Sequence, residues 1–434
     1  MAALRIGIAG LGVVGGALLR LLLQDSARFV EAGVDVRVTA ISARNRKRDR
    51  GVDVSGITWF DDPVALARSS DVDLVVELIG GADGPAHAAV EAAIAVGKHV
   101  ITANKAMLAE HGATLARAAE EKGVSLLFEA AVAGGVPVIR AVREGAAVSQ
   151  IDEIAGVLNG TCNYILSEMA SKGLRYEEAL ETAQRLGYAE ADPSFDVGGI
   201  DAAHKLVVLG LVGFGVEAAL ADVGVEGIEG VAREDILCAD ALGYAIRLIA
   251  IGRRTDEGLE MRVHPALIAK SHPIARTEGA DNIVLVQSTP GGDLMLMGPG
   301  AGAGPTAASV SADIIDVARG VRGPVLRAPA HSIAPATLLP AERQRSRCYM
   351  RLTLQDAPGA IAGVAQALAD HAISIDSLMQ PSVGEHPGED VAASVVITTH
   401  VAPVGEVRKA VEAIAARPFC RARPRLIRIE DFGD

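Results

Sequence analysis

Leu4 to Ala9 (LRIGIA) is a short apolar run of strand type, and Gly10-Leu11-Gly12-Val13-Val14-Gly15 follows it at once, ahead of the helix-favouring stretch Ala17 to Leu23. Strand, glycine loop and helix in that order constrain the chain to begin as a dinucleotide-binding fold. In such a fold Gly10 permits the tight turn, Gly12 lets backbone approach a pyrophosphate, and Gly15 lets helix pack on strand. Val13 and Val14 open the helix, whose N-terminus faces the phosphates.

The second strand, Val34 to Ser42, ends without the Asp or Glu that would hydrogen-bond a ribose 2′-hydroxyl. Arg44, Arg46, Lys47, Arg48 and Arg50 come next, in a chain whose net charge is -13. Arg44 and Lys47 are the candidate partners of a 2′-phosphate, so NADP is the expected cofactor and NAD the alternative. Taken alone, the same residues also read as a solvated basic loop.

At 434 residues the chain is too long for one ordinary domain. Up to about residue 130 strands and helices alternate: Asp73 to Ile79, Pro85 to Val96, His99 to Thr102, Ala106 to Lys122, Ser125 to Glu129. That alternation predicts an α/β, doubly wound, Rossmann-type parallel sheet over residues 1–135. Residues 136–320 read as an α+β catalytic and oligomerisation domain, with helices at Tyr164 to Lys172, Glu177 to Leu186, Ile200 to Gly213 and Glu234 to Gly252. Its strands are expected at Ile151 to Leu158, Leu259 to His264, Asn282 to Gln287 and Asp293 to Gly298. Proline-punctuated residues 321–347 read as a linker. Residues 348–434 follow a βαββαβ, ferredoxin-like order: Cys348 to Leu354, Ala360 to His371, Ile373 to Met379, Asp390 to Thr399, Gly405 to Ala416 and Arg425 to Ile429. A module on such a linker is expected to be removable without loss of catalysis.

The acidic balance and the lack of a long basic stripe argue against a nucleic-acid or anionic-membrane partner. The longest nearly apolar stretch, Leu206 to Val216, is too short to span a bilayer, and a cytoplasmic location is expected. Cys162, Cys238, Cys348 and Cys420 show neither disulfide nor zinc-ligand spacing.

Between Gly187 and Lys205 (GYAEADPSFDVGGIDAAHK) the ionisable residues Glu190, Asp192, Asp196, Asp201 and Lys205 crowd a loop that leads onto an apolar helix. Asp201 and Lys205 are four apart and share a helix face, so a carboxylate can tune an ammonium suited to proton transfer. By themselves these residues also fit an ordinary exposed ion pair.

Three segments together resemble homoserine dehydrogenases that carry a C-terminal ACT domain. Gly187, Tyr188, Glu190, Asp192, Pro193, Asp196, Gly199, Asp201 and Lys205 match the family's loop pattern, and Asn159 to Leu166 matches its NGT-x-N-[YF]-I-L segment. Ala189 and Cys162 depart from the residues commonest there. The resemblance implies interconversion of L-homoserine and L-aspartate 4-semialdehyde in threonine, methionine and isoleucine biosynthesis. It implies catalytic roles for Lys205, Lys105 and Asp201, and substrate contacts from Glu190, Asp201 and Asp196. Ala103, Lys105, Gly187 and Gly302 would meet the cofactor, and main-chain oxygens of Glu129, Val132, Gly134 and Val136 would hold sodium or a similar monovalent cation. L-Threonine is the implied effector of the ACT module, and a homodimer or homotetramer the implied assembly. A rival chemistry, a semialdehyde dehydrogenase working through a thiohemiacetal, would need Cys162 as nucleophile.

Overall fold

The computed structural model describes residues 3–380 and 392–433. The strand order of the N-terminal sheet is Thr58–Phe60, Val36–Ser42, Leu4–Ala9, Leu74–Glu77, His99–Thr102, Leu126–Leu127, with all pairings parallel. Ile6, Ile8, Val75, Val76, Val100 and Ile101 are wholly buried, as strands covered by helices on both faces require. The order reverses between Leu4–Ala9 and Leu74–Glu77, so the carboxyl ends of these strands open the crevice in which doubly wound sheets bind ligands. Thr58–Phe60 and the helix Pro63–Arg68 are additions to the expected elements. Both are too short to show a period, although the Asp62 carboxylate caps the helix by accepting from Val64 N at 2.9 Å.

A second, mixed sheet runs in the order Gly292–Pro299, Asp281–Thr289, Gln150–Val157, Tyr244–Thr255, Gly258–Ala269, Cys420–Glu430, Arg345–Gln355, Ala392–Thr399, Ile375–Met379. The helix expected over Glu234 to Gly252 is corrected here: a helix covers Arg233–Ala241, Gly243 turns the chain at φ 83°, and Tyr244–Thr255 is a strand. The run from Ile246 to Ile251, apolar except for the buried Arg247, is buried on both faces, so it lacks the alternation that would have marked it as a strand. Ile200–Gly213 is a helix, and from Asp201 to Gly213 every residue is buried.

A helix that the sequence reading did not contain, Ala303–Ala318, returns to the first sheet. Its Ala307, Val310, Ile314 and Val317 pack with Ile6, Ile8, Leu18 and Leu22. The C-terminal strands keep the βαββαβ order, and the described part of the strand expected at Asp390 to Thr399 is Ala392–Thr399; Asp390 and Val391 lie outside the described residues.

This C-terminal unit is not a freely tethered module. Its last strand joins the catalytic sheet in parallel, pairing Arg428 with Ala266 and Glu430 with Ile268. The linker is fastened too: Glu120 accepts from Val325 N and Ala330 N at 3.3 and 2.8 Å, and Ala334–Pro335 pairs with Val216–Glu217. No helix among the described residues is long and apolar enough to cross a membrane, and all four cysteines are free.

Candidate active site

Two adjoining cavities lie at the ends of the parallel strands. The first, about 490 Å³, is lined by Gly10, Gly12, Ser42, Arg44, Arg48 and Arg50 among others. A Cβ on Gly10, where φ is 99°, would lie 2.4 Å from Leu78 O, and one on Gly15 would lie 1.9 Å from Gly10 O, whereas Gly12 faces open space. Turn and helix packing therefore exclude side chains at two of the three glycines. Of the basic residues after the second strand, Arg44, Arg48 and Arg50 line the cavity and Lys47 does not. Arg50 is bound up locally, donating to Arg48 O and Asn45 O at 2.6 Å each.

The second cavity, about 620 Å³, receives residues from both halves of the catalytic body: Val14, Ala103 and Lys105 on one side, and Asn159, Gly187, Asp196, Asp201 and Lys205 on the other. Gly134 and Gly302 also line it. Val13 is at the exposed mouth of the first helix.

At its floor, the Asp201 carboxylate binds Lys205 Nζ at 2.7 Å through Oδ2 and Lys105 Nζ at 3.1 Å through Oδ1. Burial would drive the Asp201 carboxyl upward, but the Lys205 and Lys105 ammoniums and a hydrogen bond from Asn159 hold it well below the usual carboxylate range. Lys205 Nζ also donates to Leu158 O at 2.6 Å. Asp196 stands on the same wall, and burial raises its carboxyl despite a 2.7 Å hydrogen bond from Asn159 Nδ2.

Asn159 organises this wall, and the sequence reading gave it no role. Its Oδ1 caps the helix Gly160–Lys172 by accepting from Cys162 N at 2.8 Å, which leaves Nδ2 to bridge Asp196 and Asp201 at 2.7 and 2.8 Å. The Leu158 carbonyl was also missed. A main-chain acceptor has no signature in residue types, but an Asn in an N-cap position three residues before a buried helix residue was a visible signal.

Glu190 is exposed and does not line the cleft. Cys162 is wholly buried, its Sγ donates to Asp196 O at 3.2 Å, and burial with two nearby carboxylates pushes the thiol well up. A nucleophilic thiolate is therefore disfavoured. Glu129 is buried, and its carboxylate accepts from Ile139 N and Arg140 N at 2.9 Å each. Val132, Gly134 and Val136 follow around a tight turn in which Ala133 and Gly134 take φ of 53° and 44°.

A glycine-loop crevice at a switch point of a parallel sheet, leading into a cleft with a buried ammonium, defines a nicotinamide-dependent oxidoreductase. The profile described as homoserine dehydrogenase matches residues 137–315, that of the homoserine dehydrogenase NAD-binding domain residues 10–129, and that of the ACT domain residues 349–418. A Pseudomonas aeruginosa homoserine dehydrogenase is 42% identical, with 100% of each chain covered. The crystal structure of a homoserine dehydrogenase from Thiobacillus denitrificans superimposes with a TM-score of 0.92 at 41% identity, covering 100% of this chain and 99% of that one. A hyperthermophilic archaeal homoserine dehydrogenase in complex with NADPH covers 74% of this chain and 100% of its own, at 26% identity and a TM-score of 0.63. The chain belongs to the homoserine dehydrogenase family.

Proposed function

We propose that the chain interconverts L-homoserine and L-aspartate 4-semialdehyde with NADP in preference to NAD, and that Lys205 exchanges the proton. The observation that carries this reading is the environment of Lys205. Two of the three protons on its ammonium are engaged by Leu158 O and Asp201, which leaves one donor for a substrate oxygen at the wall of the cleft. Bound nicotinamide supplies hydride to the aldehyde carbon or takes it from the alcohol carbon. As charge develops on the carbonyl oxygen, the Lys205 ammonium stabilises it and then protonates it; in the reverse direction the amine accepts the alcohol proton. Asp201 is assigned the work of holding both lysines in place, since both its oxygens are already occupied by them. Lys105, which is less buried than Lys205, is assigned to the substrate carboxylate or to the reacting oxygen beside the nicotinamide.

The substrate ammonium is assigned to Asp196, which faces the cleft, and to Glu190, whose loop must fold inward to reach it. NADP preference rests on Arg44 and Arg48 at the first cavity, where guanidinium forks suit a 2′-phosphate; Lys47 is assigned an outer electrostatic role. A monovalent cation is assigned to the carbonyls of Glu129, Val132, Gly134 and Val136, where it would brace the turn beside the cleft.

The functional division proposed is 1–135 for cofactor, 136–320 for catalysis, 321–347 as connector and 348–434 for regulation. L-Threonine is assigned to the junction Asp356–Gly359, where Gly359 opens the helix Ala360–Asp370 at φ 93°. Pairing of chains is supported by the edge strand Gly292–Pro299, which leaves Leu294, Met295 and Met297 exposed. Purified protein given L-homoserine with NADP or with NAD tests the reading. Reduction should be faster with NADP at equal subsaturating concentrations. Absence of homoserine-dependent reduction with either cofactor would contradict the activity, and equal kcat/KM values would contradict the preference.

A further inference from the structure

Although the chain as a whole is strongly acidic, five arginines line a single cavity of about 490 Å³ where the C-terminal unit meets the catalytic sheet. They are Arg351, Arg408, Arg423, Arg425 and Arg428, drawn from the strands Arg345–Gln355 and Cys420–Glu430 and the helix Val404–Ala415. Their counter-charges are incomplete. Arg351 is satisfied by Asp235 at 2.6 and 3.1 Å, and Arg423 meets Glu412 at 3.1 Å on the exposed rim.

Arg425 is not satisfied. Its Nη2 lies 3.1 Å from Glu226 Oε1 but is not aligned to donate, and both Nε and Nη2 are buried without a hydrogen-bond partner. The guanidinium is seated against bare backbone, since a Cβ on Gly230 would lie 2.6 Å from Arg425 Nη1. Arg428 donates to the neutral Gln344 Oε1 at 2.7 Å, and burial together with Arg262 pushes its guanidinium down to about 10. Arg408 is exposed and makes no ion pair among the described residues. Buried guanidinium N–H groups without hydrogen-bond partners are costly, and a positive cavity with unused donors is completed by an anion.

We propose that this cavity is a second ligand site, which takes a small, multiply charged phosphate compound between the C-terminal unit and the catalytic body. Guanidinium forks match phosphate oxygens two at a time, and the apolar wall of Val404, Val411 and Leu426 accommodates an organic part of the ligand. The site differs from the dinucleotide crevice and from Asp356–Gly359, and it does not depend on the roles assigned to Lys205 or to threonine. Arg428 lies two residues before Glu430 on the strand that joins the C-terminal unit to the catalytic strands, so an anion here would clamp that junction.

The test is calorimetric titration of inorganic pyrophosphate into full-length protein saturated with NADPH, so that the dinucleotide site is already filled. Wild type should bind one equivalent per chain. Arg408→Ala and Arg425→Gln should each weaken binding about tenfold or more, as loss of a charge-assisted contact does. Arg408→Ala, a substitution at the exposed rim, should keep wild-type homoserine turnover and melting temperature, and Arg44→Ala should keep wild-type pyrophosphate affinity. No binding at millimolar pyrophosphate, unchanged affinity in Arg408→Ala, or a loss confined to Arg44→Ala would overturn the proposal. Citrate titrated in parallel should bind at least tenfold more weakly; equal or tighter citrate binding would overturn the phosphate assignment.

Discussion

A carboxylate as enclosed as Asp201 persists as an anion because two ammoniums, one from each side of the cleft, share it. Asp201 and Lys205 could be paired from their spacing alone, because residues four apart on a helix share a face. Lys105 joined them only through the family resemblance, and Asn159 and the Leu158 carbonyl were not placed with them, since no local pattern reports a contact across 42 or 47 positions of chain. The basic loop after the second strand was legible as charge but not as geometry: Arg44 and Arg48 reach the cavity while Lys47 does not. Replacing Arg44 and Arg48 with Ala should weaken NADPH by roughly ten- to a hundredfold and NADH far less, because a charge-assisted contact is worth ~1.5–3 kcal/mol. Fluorescence titration with the two reduced dinucleotides measures this. Equal losses would mean that the loop is only solvated.

Ile200–Gly213 was read correctly from sequence because Gly199 breaks the chain before it and its apolar run is too long for an ordinary strand. The apolar stretch after Gly243 was misread because a run buried on both faces looks alike as helix or strand. Ala303–Ala318 escaped notice because its first two turns are mostly small residues, which carry little hydrophobic contrast. That helix brings Asp313 against Glu129 and Arg140, with Oδ2 accepting from Glu129 N at 3.0 Å. Burial, then the Glu129 charge, raise the Asp313 carboxyl from 3.8 to about 7. The folded protein therefore binds more protons than the unfolded chain between about pH 4 and pH 7. Within that window this group makes stability fall as pH rises, by at most roughly 1.4 kcal/mol per pH unit, with no further change above it. Asp313→Asn should abolish this component, so the stability of wild type relative to the variant should decline from pH 4 to 7 in denaturant unfolding. A constant difference across that range would show that Asp313 titrates normally.

At the scale of the whole molecule, the C-terminal unit closes the edge of the catalytic sheet and supplies Glu430, which accepts from the buried Arg262 at 3.0 and 3.1 Å. Truncation after Pro340 should therefore lower the melting temperature and promote aggregation, by uncovering a strand edge and removing a partner from a buried charge. A truncated protein that melts like wild type would show that the seam is dispensable. Asp356→Ala in the full chain is accordingly the cleaner probe of the threonine assignment. The same whole-molecule assembly creates the active cleft, because Lys105 and Lys205 meet at Asp201 only when the two halves of the catalytic body are joined. The most direct measurement is turnover of Lys205→Ala with L-homoserine and NADP, alongside its affinity for NADPH. The account predicts a kcat lower by on the order of a hundredfold or more with NADPH affinity nearly unchanged, since the proton is moved in the transition state and not during cofactor binding. Near-normal turnover in that variant would contradict it.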